Sequence, residues 1–219
     1  MSLTLYAHPF SSYCQKVLTA LYENGTPFDY RRLGPEDPAA GAEWAALWPM
    51  KHMPVLLDGE TPVFESSIII EHLGLYHPGP VPLLPAEPKA ALRTRMLDRF
   101  FDNFVMTPMQ KIVFDHLRPA ESRDDYGLAK ARGMLDDAYR WLDGELAGRD
   151  WAAGAGFSLA DCAAAPALFY ADWVHEIDPA LTHLRAYRAR LLGRPSFARA
   201  VEEARPFRPL FPPGAPDRD

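Results

Sequence analysis

Prolines at positions 78, 80, 82, 85 and 88 deny regular structure to the stretch between His77 and Pro88, and the hydrophobic rhythm of the chain changes across it. Each proline lacks a backbone N–H and fixes its own φ, so the stretch reads as a stiff, extended connector. Upstream of it, strand and helix signals alternate. Residues 3–7 (Leu-Thr-Leu-Tyr-Ala) make a short apolar strand that His8-Pro9 ends. Cys14, Val17, Leu18 and Leu21 then recur at helical spacing, with Asn24-Gly25 as a left-handed stop. Residues 28–32 suit a second strand and 36–47 a second helix. Residues 55–57 and 61–64 flank Asp58-Gly59, a hairpin turn signal, and a third helix follows over about 67–76.

The crossover after the first strand must be right-handed, so this order is most simply satisfied by a thioredoxin-like domain. Downstream, strand signals vanish. Leu92, Met96, Phe100 and Phe104 repeat at helical spacing, as do Leu128, Leu135, Leu142 and Leu146. Pro108 predicts a kink or break between Met106 and Met109. Phe157-Ser-Leu-Ala-Asp-Cys162 predicts a helix start with Ser158 as N-cap, Asp161 closing a capping box and Phe157 stapling onto Cys162. Gly193-Arg-Pro195 stops a helix carrying Leu181, Leu184 and Leu191, and Ser196 is expected to cap a short last one. The expected organisation is a thioredoxin-like domain over 1–77, a linker over 78–88, an all-helical domain over 89–205 and a loose proline-rich tail over 206–219.

A formal charge of −6 with both signs interspersed argues against nucleic acid or an acidic membrane as partner. Cys14 and Cys162 stand far apart and neither lies in a Cys-x-x-Cys pair, so no disulfide framework, zinc spacing or other metal site is expected. The first residues lack a basic region followed by an apolar run, and no stretch of roughly 18 apolar residues occurs. A cytoplasmic protein that does not span a membrane is the expectation.

Three sites carry candidate chemistry. Ser11-Ser12-Tyr13-Cys14-Gln15-Lys16-Val17 lies where the first strand meets the first helix, so free N–H groups and the helix dipole favour an anion or thiolate. The segment resembles the Cys-Pro-Tyr-Cys-x-Lys-Val motif of glutaredoxins, with serine in place of the attacking cysteine, which removes self-contained disulfide exchange. Met53-Pro54, just before the hairpin, falls where thioredoxin-like folds keep a cis bond and a backbone that pairs with a peptide ligand. Glu65-Ser66 opens the third helix, where N–H groups and a hydroxyl suit a carboxylate and Glu65 an ammonium. A ligand with a zwitterionic end, a backbone-read middle and a thiol has the chemistry of glutathione.

With these motifs in this order the chain resembles the cytosolic glutathione-transferase superfamily along almost its whole length. The Ser11-Ser12-x-Cys14 arrangement is most similar to bacterial-type members of the serine classes, theta and zeta. That resemblance implies that Ser11 donates a hydrogen bond to the glutathione thiolate, with Ser12 and Tyr6 as rivals. It implies glutathione contacts from Lys51, His52, Met53, Pro54, Glu65 and Ser66, with His52 standing where relatives carry Lys or Gln. It also implies a homodimer in which the first domain of one subunit meets the helical domain of the other. Phe10, Phe104 and Phe207 are candidates for an apolar cosubstrate site, although Phe104 is equally well explained as bundle core. Ser11, Ser12 and Ser66 also suit plain helix caps, and Cys14 a buried core residue. Conjugation of glutathione to a small apolar electrophile leads. A zeta-like isomerase or theta-like dehalogenase, and a non-catalytic binding or scaffold protein, are the alternatives.

Overall fold

The computed structural model describes residues 2–219. In the first half, strands β1 (Leu3–Ala7), β2 (Asp29–Arg32), β3 (Val55–Asp58) and β4 (Thr61–Val63) interleave with helices α1 (Ser12–Asn24), α2 (Pro38–Leu47) and α3 (Ser66–Tyr76). The sheet order is β2-β1-β3-β4, with β1 and β2 parallel and the other pairs antiparallel. Alternation along β1 serves two layers. Leu3, Leu5 and Ala7 join the main core with α1 and α3, while Tyr6 joins a smaller cluster with Leu33, Ala40 and Val55. This half is thioredoxin-like, as expected.

At the end of α1 the left-handed residue is Gly25, whose N–H bonds back to Leu21 and Tyr22. Asn24 has a different task. Its amide donates to the Val81 carbonyl at 3.1 Å and accepts from the Val81 N–H at 2.8 Å, pinning the linker. Gly79 passes so close that a Cβ there would lie 2.4 Å from the Asn24 side chain.

The second half is all helical: α4 (Pro88–Phe100), α5 (Thr107–Asp115), α6 (Asp125–Glu145), α7 (Leu159–Val174), α8 (Thr182–Leu192) and α9 (Pro195–Ala204). Helix α7 is apolar on nearly every side and buried over Leu159–Asp172, which makes it the central post of the core. It packs against α1, α4, α5 and α8.

Four expectations are corrected. The Leu92, Met96, Phe104 stripe is exposed, because α4 buries the adjacent face carrying Ala91, Thr94, Leu97 and Asp98. The irregularity expected at Met106–Met109 lies upstream, as a π-helical segment over Phe101–Met106. Pro108 cannot donate to the residue 104 carbonyl, and wider turns before it accommodate that loss without breaking the helix. Ser196 does not cap α9; Arg194 holds that position, and the Ser196 hydroxyl donates to Glu23 at 2.7 Å. Finally, the tail is docked. Residues 205–210 form a 3₁₀ segment, Phe211 is buried against Tyr170 and Trp173, and the Arg218 guanidinium clasps Asp172.

Candidate functional site

A cavity of about 810 Å³ opens between the two halves, bounded by the start of α1, the turn before β3, the start of α3, the α4–α5 passage and the docked tail. Its walls bring together Phe10, Ser11, Ser12, Lys51, His52, Met53, Pro54, Glu65 and Ser66, far apart in sequence yet singled out above. The Met53–Pro54 bond is cis.

Ser11 holds the N-cap position of α1 with extended backbone (φ −83°, ψ 126°), but its side chain makes no capping bond. No acidic residue occupies the first turn. The N–H groups and positive dipole end of α1 are therefore not neutralised from within, and a hydroxyl stands beside them. The loop carrying Ser11 is fixed from below. Gln15 donates to the Pro9 carbonyl at 3.0 Å and to the Tyr170 hydroxyl at 3.1 Å, and Tyr170 in turn donates to the Phe10 carbonyl at 3.0 Å. Cys14 lies fully buried behind Ser11, and burial pushes its thiol up to about 12, against the opposing pull of the Ser11 hydroxyl and the His8 backbone.

Glu65 takes a positive φ of 66° with ψ 120°, a conformation that costs a non-glycine residue about 1–3 kcal/mol. It is the N-cap of α3, so Ser66 is the first helical residue rather than the cap. Lys51 also has positive φ, 54°, and with His52 forms an exposed rim on the opposite side. The His52 carbonyl accepts from the Trp44 indole at 3.0 Å, which ties the rim to α2.

Three expected residues do not reach the cavity. Tyr6 points into the second apolar cluster and donates to Glu43 at 2.8 Å. Phe104 turns outward to lie over Phe100. Phe207 packs edge-on against His8, 4.7 Å between centroids, and the tail instead presents Leu210 and Phe211 to the cavity.

Sequence reasoning missed a buried charge cluster under the α3 end of the cavity. Lys16 Nζ lies 2.6 Å from Asp98 and 2.9 Å from Asp102, and also donates to Ser67 Oγ at 2.9 Å. Ser67 donates to Asp98 at 2.8 Å, and Arg99, half-exposed on the cavity wall, reaches Ser67, Asp98 and Asp102. Burial holds the Asp102 carboxyl above its ordinary range, while Lys16 works the other way. The one signal in the sequence was the like-charged pair Asp98 and Asp102 at i, i+4 with Arg99 between them.

The chain matches two family models: glutathione S-transferase N-terminal domain over residues 5–81, and glutathione S-transferase C-terminal domain over 114–190. Glutathione S-transferase 3 of Zea mays is 30% identical over 218 residues, covering 95% of this chain and 91% of the maize protein. A stringent starvation protein A homolog of Coxiella burnetii is 28% identical over 204 residues, 92% of each chain. Among solved structures, a glutathione S-transferase from Methylobacterium radiotolerans in complex with glutathione sulfonate is 32% identical with a TM-score of 0.79, covering 92% of this chain and 95% of that one. With two domain models matched in order and a full-length relative at this identity, the chain belongs to the glutathione S-transferase family.

Proposed function

We propose that this protein is a glutathione transferase in which Ser11 activates the glutathione thiol for attack on a small apolar electrophile. The observation that carries this reading is the Ser11 hydroxyl, which makes no capping bond, at a helix N-terminus with no acidic residue in its first turn, facing the same cavity as Glu65-Ser66 and the Lys51-His52 rim. The γ-glutamyl ammonium and carboxylate suit Glu65 and the Ser66 end of α3, the cysteinyl backbone suits Met53, and the glycine carboxylate suits Lys51 or His52. Sulfur then falls beside Ser11. A charge-assisted hydrogen bond stabilises by about 1.5–3 kcal/mol and a helix N-terminus by about 0.3–1 kcal/mol. Together they favour the thiolate by one to three powers of ten, enough to make it a major form at neutral pH.

Apolar groups beside this position, Phe10, Met109, Val113 and Phe211, suit the electrophile. The thiolate attacks its carbon, the leaving group takes the electron pair, and the protein forms no covalent bond. A homodimer in the cytoplasm is part of this reading; the exposed Leu92, Met96 and Phe104 beside the Glu71–Arg95 ion pair give it an apolar face.

A second reading, glutathione binding without turnover, is favoured by the similarity over 92% of the chain to a protein named for stringent starvation rather than transfer. The ultraviolet absorbance of bound glutathione against pH, with turnover of an electrophile panel that includes halogenated and cis-trans isomerisable compounds, separates them. Under the transferase reading the bound thiol ionises well below the free tripeptide. Ser11→Ala then lowers kcat at least about tenfold with glutathione affinity nearly unchanged, while Tyr6→Phe leaves kcat intact. An unshifted thiol and no turnover reject it.

A further inference from the structure

Outside the glutathione cavity, the hairpin and α3 bring three potential metal ligands together. Asp58 ends β3, His72 lies within α3 and His77 is its C-terminal cap. One ligand atom from each lies within 4.8 Å of the others, and all three side chains are half-buried. Both imidazoles direct Nε2 at the same carboxylate oxygen, Asp58 Oδ2, at 2.9 Å for His72 and 2.7 Å for His77. The other oxygen, Oδ1, is buried with no hydrogen-bond partner among the described residues.

We infer that Asp58, His72 and His77 form a binding site for a divalent transition-metal ion of the zinc type. Two imidazoles and one carboxylate are a donor set suited to such ions, and three protein ligands leave a position for water. A tetrahedral ion with bonds of about 2.1 Å sets its ligands about 3.4 Å apart. The present N···O separations need to widen by roughly half an ångström, within reach of side-chain rotation alone. Each imidazole binds through Nε2 as the neutral ring, so a proton carried on Nε2 moves to Nδ1 or to solvent when the ion binds. A water on the ion, or two-oxygen binding by the carboxylate, gives Oδ1 the partner it lacks. Because His77 immediately precedes the proline-rich linker, the ion would fasten the β3–β4 turn to the point where the chain leaves the first half.

The spacing explains why sequence reading expected no metal. His72 and His77 are five apart, not at the i, i+4 spacing that pairs ligands on one helix face, and Asp58 reads as a turn residue. They meet only because α3 packs against the hairpin.

The test uses untagged full-length protein, freed of metal by chelation and titrated with zinc by calorimetry in the absence of glutathione. We expect one ion per chain, a thermal midpoint raised by zinc, and visible d–d absorption of a low-coordinate site when cobalt(II) replaces it. His72→Ala, His77→Ala and the shape-conserving Asp58→Asn should each weaken zinc at least about tenfold and abolish the midpoint shift, with circular dichroism checking that each is folded. His183→Ala, a surface histidine elsewhere, should bind as wild type does. Absence of saturable binding, or equal binding by wild type and the folded Asp58→Asn protein, would overturn the inference.

Discussion

Ser11 and Cys14 sit three positions apart at the start of α1, and their surroundings push them toward opposite chemistry. Ser11 opens on the cavity, whereas Cys14 is enclosed by the main core, where its thiolate would be stripped of solvent. Burial likewise raises Cys162 well above a free thiol. Neither cysteine should react with an aromatic disulfide reagent at pH 8 in the folded protein, and both should do so in denaturant; a fast-reacting thiol in the native state would contradict this packing. Tyr6 shows the same control by environment. Its phenol is raised by burial and by the bond to Glu43, and it points into the second apolar cluster rather than the cavity on which Ser11 opens.

At the scale of elements, the start of α7 concentrates a set of buried polar bonds on one carboxylate. The Asp161 carboxylate accepts from the Ala152 and Ser158 N–H groups and the Ser158 hydroxyl, each at 2.9 Å, and from the Tyr187 hydroxyl at 2.5 Å. Burial pushes this carboxyl up while the four donors pull it back. Asp161→Ala leaves Tyr187 and two N–H groups without partners in the interior, so it should cost about 3–5 kcal/mol in denaturant unfolding, far more than an exposed cap. The α4 stripe shows how pattern alone misleads. Leu92, Met96 and Phe104 are periodic because they form a face, but that face is exposed. If it joins two copies, light scattering will find a dimer, and Met96→Glu will yield a folded monomer.

At the scale of the molecule, α1 is the hub that unites the two halves. Glu23 accepts from the Arg194 guanidinium and the Ser196 hydroxyl at the start of α9, Lys16 pairs with α4 and the π-helical segment, and Gln15 meets α7. Burial opposes the Glu23 charge, but the Arg194 and Ser196 hydrogen bonds prevail and hold its carboxyl below the ordinary range. A folded pKa below the unfolded value means that the contribution is complete above about pH 4.5 and fades as pH falls through the folded pKa. Glu23→Gln should therefore be less stable than wild type at neutral pH, with the gap closing under acid; a gap independent of pH would reject this account. The sequence by itself determined the two-part organisation, the hairpin, the α7 cap and the cis Met53-Pro54 bond, because each depends on proline, glycine, capping or periodicity within a few residues. Only the tertiary structure decided which face of α4 is buried, that the tail docks, that Lys16 joins two aspartates, and that Asp58 meets His72 and His77. Those outcomes depend on which surfaces meet across long sequence separations, where desolvation and side-chain packing rather than local backbone preference set the free energy.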